Sequence, residues 1–271
     1  MAKNHVFRTT HYNICSEKLK NVTNEKKILF LTDLHNNCYG NENELLLKAV
    51  ETQQPDFVFV GGDMLVGKKG ESLEVAKNLL LQLSSVCPVY YANGNHEQRM
   101  KEFPHLYGEG YEEYQNSLQE QGIVFLENKH VDMMWDGVLV RIFGLEIPMR
   151  FYKRFKKHHV DVSQVNELLG QPNDSEYNIL LAHNPIFMDT YLSWGADLIL
   201  SGHLHGGVVR IPKLGGVITP QFSLFPKYSG ELTRVNGKSV VVSRGLGNHS
   251  IKFRFLNPTE LIVLHISGNK K

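Results

Sequence analysis

Residues 28–35 read ILFLTDLH, an apolar run of four residues that leads directly into alternating polar and apolar side chains. An uninterrupted apolar run of this length is typical of a strand buried on both faces. The polar residues that follow include Asp33 and His35, and carboxylate and imidazole groups both bind metal ions. The stretch therefore predicts a core strand that brings two metal ligands to one edge of a sheet.

Four further segments repeat this arrangement. They read FVFVGGD at 57–63, VYYANGNHE at 89–97, ILLAHNP at 179–185 and LILSGHLH at 198–205. Each apolar run ends in Asp, Asn or His, and ligands of open α/β sheets collect at the carboxyl ends of the strands. We therefore expect these polar residues to converge on one site.

The segments around these strands predict an α/β fold. Apolar residues recur at helical spacing in 43–52, 72–83, 111–121 and 187–194. Further strand-like runs lie at 123–126, 138–144, 208–211, 240–243 and 261–266. Since there is no repeat and no clear linker, we expect residues 1–271 to form a single domain, with residues 1–24 as an N-terminal extension or strand.

Composition narrows the class of protein. The 271 residues include 29 Lys and Arg against 28 Asp and Glu, a formal charge of +1, which counts against a nucleic-acid partner held by bulk electrostatics. Three cysteines are too few for a disulfide framework and fit a reducing compartment. No apolar run approaches the ~20 residues of a transmembrane helix, and no signal peptide is evident. We expect a soluble chain, cytoplasmic or peripheral to the membrane, from which an anchor has been removed or was never present.

The polar residues at the strand ends suit a pair of metal ions. Seven candidates stand there: Asp33, His35, Asp63, Asn95, His183, His203 and His205. Seven ligands are too many for one tetrahedral zinc but enough for two ions with open positions. Two ions about 3.5–4 Å apart clamp the attacking and leaving oxygens of a phosphoryl displacement. The alternative is structural, because a lone histidine is usually not a ligand and aspartates also cap helices; the joint occurrence at strand ends favours the metal site.

These residues also resemble a known family. The blocks, in chain order, are Asp33-x-His35, Gly62-Asp63, Gly94-Asn95-His96-Glu97, His183 and Gly202-His203-x-His205. They are similar to the motifs of the calcineurin-like metallophosphoesterase superfamily, and five ordered blocks are far more specific than one short motif. Residues 206–258 resemble its bacterial branch of YkuE- and YaeI-type phosphodiesterases. The resemblance implies a four-layer αββα sandwich, two mixed β-sheets flanked by helices.

The resemblance implies a role for each matched residue. It assigns Asp33, His35 and His205 to a first divalent ion, Asn95, His183 and His203 to a second, and Asp63 to both. A metal-bridging hydroxide would attack phosphorus in line while His96 protonates the leaving oxygen, which makes His96, Asp63 and Asn95 the catalytic residues. The two divalent metal ions are Mn, Fe, Zn or a mixture, and the sequence does not choose among them.

The implied activity is hydrolysis of a phosphoester, with a phosphodiester favoured. The expected partner is a small-molecule or lipid-linked substrate, including nucleotide-sugar diesters, with no obligate protein partner. A phosphomonoesterase, a nuclease and a non-catalytic scaffold are the alternatives, and the intact ligand set counts against the scaffold. The aromatic residues in 149–155 and 222–228 are candidates for contacting a hydrophobic tail, although such residues usually pack against the fold.

The basic, aromatic stretch Arg150–His159 has two interpretations. It is a solvated surface, or it contacts anionic substrates or lipid headgroups in a peripheral membrane association. Charge clusters are weak evidence, so the first interpretation is favoured.

Two positions depart from the family pattern. Glu97 stands where the family more often has Asp, and Val208 where the bacterial branch commonly has Gln. Neither is expected to touch a proposed ligand, so both are expected to bear on substrate choice. His249 is expected to be a loop histidine, with lining of the pocket as its alternative.

Overall fold

The computed structural model describes residues 6–153, 158–207, 209–211, 215–218, 226–248 and 254–268. Val208, His249 and residues 154–157 and 222–225, which the expectations above include, lie outside this part. The strands are β1 (Arg8–Ser16), β2 (Lys26–Leu31), β3 (Phe57–Val60), β4 (Val89–Tyr91), β5 (Val124–Phe125), β6 (Lys129–Trp135), β7 (Val138–Leu145), β8 (Tyr177–Ala182), β9 (Leu198–Ser201), β10 (Val209–Ile211), β11 (Gly215–Ile218), β12 (Leu232–Val235), β13 (Lys238–Val242) and β14 (Glu260–Gly268).

Along the chain, most helices connect one strand to the next. They are α1 (Glu44–Gln53), α2 (Glu74–Val86), α3 (Asn95–Glu102), α4 (Pro104–Tyr107), α5 (Tyr111–Gln119), α6 (Val162–Leu169) and α7 (Met188–Trp194), with 3-10 turns at Glu17–Leu19, Met149–Tyr152 and Pro185–Phe187. Four of them, α1, α2, α5 and α7, match the predicted helical segments. In the described residues no helix combines the length and the apolar character needed to cross a membrane.

Two mixed six-stranded sheets organise the chain. The first has the order β1-β14-β2-β3-β4-β5 and the second β12-β13-β9-β8-β7-β6. In the first sheet β2, β3, β4 and β5 run parallel, while β14 is antiparallel to β2 and parallel to β1. In the second, β13, β9, β8 and β7 run parallel and the edge strands β12 and β6 are antiparallel to their neighbours.

The alternation of side chains along the strands produces the layers, because successive residues point to opposite faces of a sheet. Ile28 and Phe30 of β2 pack against Ile179 and Leu181 of β8, so one apolar layer lies between the two sheets. The residues of β2 between and after them, Leu29 and Leu31, pack with α1, α2 and α5 on the outer face of the first sheet.

The outer face of the second sheet is covered in the same way. Leu180 and Ala182 of β8 pack with Val165 of α6 and with Tyr191 and Trp194 of α7. The layers are therefore helix, sheet, sheet and helix, which confirms the predicted αββα sandwich. The parallel strands of both sheets end on the side where the polar motif residues follow.

Candidate metal centre

All the predicted site residues lie just beyond the carboxyl ends of central strands. Asp33 and His35 follow β2, Asp63 follows β3, Asn95 and His96 open α3 after β4, His183 follows β8, and His203 and His205 follow β9. All eight are largely or fully buried. Both sheets therefore contribute to one cluster, with the acidic residues on the first sheet and three of the histidines on the second.

One group of ligand atoms is formed by Asp33, His35 and His205. Nε2 of His205 lies 3.3 Å from Oδ1 of Asp33 and 3.2 Å from Nε2 of His35. Nε2 of His35 is 3.9 Å from Oδ1 of Asp33. Three potential ligand atoms thus face one another across the space of a single ion.

A second group is formed by Asp63, His183 and His203. Nε2 of His183 lies 3.1 Å from Oδ2 of Asp63, and the ring centroids of His183 and His203 are 5.1 Å apart. Oδ2 of Asp63 also lies 3.8 Å from Nε2 of His35, and a third group of ligand atoms joins these two residues to His96. In each of the three groups the ligand atoms lie within 4.8 Å of one another, so the groups form a continuous chain through His35 and Asp63.

The two buried carboxylates of this cluster favour a positive charge beside them. Nδ1 of His183 lies 2.6 Å from the carbonyl oxygen of Gly61, to which it donates, so Nε2 points at the carboxylate of Asp63. Burial alone lowers the pKa of His183, but Asp63 and then Asp33 raise it to about 10. Burial raises the pKa of Asp33 to about 7, whereas the surrounding histidines, His183 foremost, outweigh burial at Asp63 and hold its pKa well below the usual range.

The donor set fits a divalent metal. Oδ1 of Asn95 is buried with no hydrogen-bond donor among the described residues, which is costly for a polar atom unless a cation meets it. Carboxylate oxygens, an amide oxygen and imidazole nitrogens together suit first-row divalent ions. The carboxylates, histidines and asparagine brought together here are therefore able to hold a metal.

Backbone conformation shapes the loops that carry the ligands. Asp33, His35, Asp63, His203 and His205 all have φ between 47° and 68°. This left-handed region is uncommon for residues other than glycine, although Asp, Asn and His tolerate it best. Such conformations cost about 1–3 kcal/mol each and cluster at functional sites. The ligand loops are therefore held in place by the surrounding fold rather than by local preference.

Two glycines permit the close approach of these loops. A Cβ at Gly94 would lie 2.3 Å from Oδ1 of Asp63, and one at Gly202 would lie 2.3 Å from Oδ2 of Asp33. The same carboxylates accept hydrogen bonds from the backbone, at 2.8 Å from His96 N to Asp63 and at 3.0 Å from His203 N to Asp33. Each aspartate is therefore oriented by a neighbouring ligand loop.

Glu97 corrects an expectation from the sequence. Its buried carboxylate accepts hydrogen bonds from the backbone N–H groups of Asp63 (2.8 Å), Leu65 (3.1 Å) and Gly94 (3.0 Å) and from the hydroxyl of Tyr91 (3.0 Å). The prediction that Glu97 touches no proposed ligand is wrong, since it holds the backbone of Asp63. Four donors occupy this carboxylate, so it anchors the ligand loops and does not face a substrate.

The sequence did not reveal two arginines that contact the cluster. Nη2 of Arg99 lies 2.8 Å from Nδ1 of His96, whose Nδ1 also accepts from Gly67 N at 3.0 Å. Arg254 donates to the carbonyl oxygens of Arg244 (2.7 Å) and Gly247, and its Nη2 lies 3.0 Å from Nδ1 of His205. That contact and the carbonyl of Gly247, 3.3 Å away, compete for the same ring nitrogen. We favour donation from Nδ1 to the carbonyl, because it leaves Nε2 of His205 directed at Asp33.

The residues at the start of the basic, aromatic stretch Arg150–His159 differ in their surroundings. Arg150 is exposed and lies over the ring of Phe151, which is buried against the second helical layer. The ring of Tyr152 lies 5.4 Å from that of His203. Tyr228 is also buried in that layer. Of the aromatic residues expected to reach a substrate, Tyr152 therefore lies beside the ligand cluster, while Phe151 and Tyr228 pack against the fold.

Comparison with known proteins agrees with the motifs. A family model described as calcineurin-like phosphoesterase matches residues 26–207. The uncharacterized metallophosphoesterase Cj0846 of Campylobacter jejuni is 28% identical over 273 residues, which cover 98% of this chain and 66% of that protein. YkuE of Bacillus subtilis is 24% identical over 97% of this chain and 87% of its own length. YaeI of Escherichia coli, named a phosphodiesterase, is 26% identical over 82% of this chain and 75% of its own length.

Proposed function

Because this chain belongs to the calcineurin-like phosphoesterase family and is a metal-dependent phosphoester hydrolase, we propose that it binds two divalent ions and hydrolyses a phosphodiester. The observation that carries the proposal is the overlap of the ligand groups. Asp63 belongs both to the group with His35 and His96 and to the group with His183 and His203. Oδ2 of Asp63 lies 3.8 Å from Nε2 of His35 and 3.1 Å from Nε2 of His183, so this carboxylate lies between the histidines of the two proposed ions.

The ligands divide between the two ions according to these groups. Asp33, His35 and His205 would hold the first ion, Asn95, His183 and His203 would hold the second, and Asp63 would contribute to both. Support for the first set comes from its distances of 3.2–3.9 Å. Support for Asn95 in the second comes from its buried oxygen without a donor.

We further propose that residues 1–271 form one domain. The apolar layer between the sheets includes residues from β2, β8, β9 and β14, so neither sheet has a separate core on that side. The ligand cluster likewise draws on both sheets.

When bound, such ions supply Lewis acidity that activates a water molecule and neutralises charge on the phosphoryl oxygens. The chain itself supplies the proton and the orientation. Nε2 of His96 lies 3.9 Å from Oδ2 of Asp63, so a proton on this nitrogen would be beside the ligand cluster where a phosphoryl group would bind. Gly67 N–H fixes the ring by donating to Nδ1. His96 therefore donates to the leaving oxygen as water attacks phosphorus in line.

A diester is favoured over a monoester because YaeI, a relative over most of this chain, is named a phosphodiesterase. A lipid-linked diester is a second candidate with an observation of its own. Phe255 and Leu256 expose 52% and 60% of their surface and directly follow Arg254, which contacts His205. A nuclease has less support, since the net charge is +1.

The test is turnover of bis-p-nitrophenyl phosphate beside p-nitrophenyl phosphate, with Mn, Zn, Fe, Mg or Ni added to metal-free protein. We expect metal-dependent turnover of the diester. His96→Ala should reduce it by about 10²–10⁴-fold while metal content stays near wild type. His105→Ala is the matched control, since His105 is exposed and among the described residues pairs only with Glu109. No turnover with any metal, together with no bound metal by elemental analysis, would refute the proposal.

A further inference from the structure

Arg99 places a cation beside His96. Its Nη2 lies 3.1 Å from Nε2 and 2.8 Å from Nδ1 of His96. A backbone N–H only donates, so Nδ1 of His96 is the acceptor for Gly67 N at 3.0 Å and the proton of the neutral ring is on Nε2. Nη2 of Arg99 and Nε2 of His96 are therefore neighbouring donors, and Nε2 lies 3.9 Å from Oδ2 of Asp63.

The position of Arg99 is built into the fold. Its Cζ lies 5.0 Å over the ring of Tyr107, and a Cβ at Gly67 would lie 2.7 Å from its Nε. That Nε is buried without a hydrogen-bond acceptor among the described residues, and in the same part of the chain no carboxylate forms an ion pair with Arg99. Asp63 and Glu97 attract the guanidinium through their charge, but the buried Nε–H still costs free energy unless a ligand accepts a hydrogen bond from it.

We propose that Arg99 binds an anionic leaving group, so that the substrates are diesters in which the leaving group carries a second phosphate. This inference rests on the proposed function, because it takes the leaving group to be on the side of His96. A diester has one negative charge at the attacked phosphorus, which two divalent ions already exceed. Where His96 protonates the leaving oxygen, little negative charge develops on it, so a further cation on that side contributes most when the leaving group already carries a negative charge.

The reaction of such a P–O–P linkage balances with one water. The oxygen of water bonds to the attacked phosphorus, and the bridging bond from that phosphorus breaks. Its electron pair stays on the second phosphate, which departs as a phosphomonoester with an added negative charge facing Arg99. One proton of the water is released and the other stays on the new phosphate, unless His96 passes its own proton to the departing oxygen and is reprotonated. The forked guanidinium suits a phosphate because it donates through two N–H groups at once.

Four substrates separate the alternatives. UDP-glucose and a lipid-linked sugar diphosphate both contain the P–O–P linkage and distinguish a soluble source from a lipid source. Bis-p-nitrophenyl phosphate has a leaving group of similar basicity but no second phosphate. A dithymidine monophosphate has an alkoxide leaving group that depends strongly on the proton from His96. Each is assayed with wild type, Arg99→Gln and Arg99→Lys, with metal content measured for every protein.

We expect Arg99→Gln to lower kcat/KM for a P–O–P substrate by about 10–100-fold, since a hydrogen bond to a charged group is worth about 1.5–3 kcal/mol. The value for bis-p-nitrophenyl phosphate should change less than about threefold. Arg99→Lys should recover part of the loss, because it keeps the charge and loses the fork. The control Arg234→Gln, in edge strand β12, removes a contact with the carbonyl of Asn13 far from the ligand cluster and should match wild type.

Three results would overturn the inference. If wild type turns over bis-p-nitrophenyl phosphate and neither P–O–P substrate, the proposed function stands and the role of Arg99 fails. Equal losses on all substrates, or loss of metal from both Arg99 variants, would make Arg99 structural. A loss confined to the dinucleotide would make it a positioning residue for His96. Absence of turnover by wild type on every substrate refutes the proposed function itself.

Discussion

Replacing Glu97 by Gln tests how the ligand loops are held, because the side chain keeps its shape and loses two acceptor sites. Oε2 of Glu97 accepts from the backbone of Asp63 and Gly94, and Oε1 accepts from the backbone of Leu65 and the hydroxyl of Tyr91. The Gln amide NH₂ must face one of these pairs. In the less costly orientation the NH₂ group points to Tyr91, whose hydroxyl rotates to accept a hydrogen bond from it. The backbone N–H of Leu65 then has no acceptor.

The magnitude follows from that count. One stranded buried donor costs about 1–3 kcal/mol, and the bonds that remain lose the strength they drew from a charged acceptor. We expect a loss of about 2–4 kcal/mol in the free energy of unfolding, a large part of the ~5–15 kcal/mol typical of a protein domain. Burial, followed by the charge of Asp63, raises the pKa of Glu97, so its donors are what favour the ionised form.

The assay is urea unfolding of chelator-treated protein followed by circular dichroism, so that metal binding does not contribute. Glu102→Gln is the matched control on the same helix. Glu102 is exposed and accepts from Nε2 of Gln98 at 2.7 Å, so its loss should be below about 0.5 kcal/mol. An equally small effect of Glu97→Gln would refute the reasoning. The ratio of diester to monoester turnover should not change, and a change would restore a role in substrate choice.

Four other expectations concern the metal and the core. Asp63→Asn should lose metal and turnover together, because its carboxylate is shared between ligand groups; two ions per chain by elemental analysis would contradict this. Gly202→Ala places a methyl against Asp33 and should weaken metal affinity by about 10–100-fold in calorimetric titration, an unchanged affinity being the contrary result. Leu181→Ala, in the layer between the sheets, should cost about 2–5 kcal/mol in urea unfolding, and a loss below about 1 kcal/mol would mean that the layer closes over the gap. Removing a metal present at 100 times its dissociation constant should cost about 2.7 kcal/mol, read as a lower melting temperature; an unchanged temperature would indicate that the ion adds no stability.

The central strands could be predicted from the sequence because they are buried on both faces. A run such as residues 28–31 has no polar position, so its type and approximate extent can be predicted from composition alone. The convergence of the polar residues that follow was predictable for the same reason, since parallel strands end on the same side. The signal comes from local composition joined to one general rule of topology.

The features that could not be predicted from the sequence depend on contacts with distant parts of the chain. Most residues of β1 are exposed or half-buried, and its position is set by pairing along β14, Arg8 with Glu260, which no local pattern specifies. Helix α3 is almost entirely polar and has no apolar stripe to reveal it. Glu97 takes its donors from two other chain segments as well as its own, and so its role appears only once those segments meet. Its place three residues after Gly94, at the start of a helix, was the one available sign.

The position of β14 has a consequence for the order in which the fold is completed during synthesis. Because β14 lies between β1 and β2, these two strands have no direct pairing with each other in the sheet. A nascent chain that has exposed everything up to β13 still has one open edge on β2 and an unpaired β1. The ribosome must therefore deliver residues 260–268 before the first sheet is whole. Until then the open edge of β2, the strand that leads into Asp33, is accessible to chaperones and to other nascent chains.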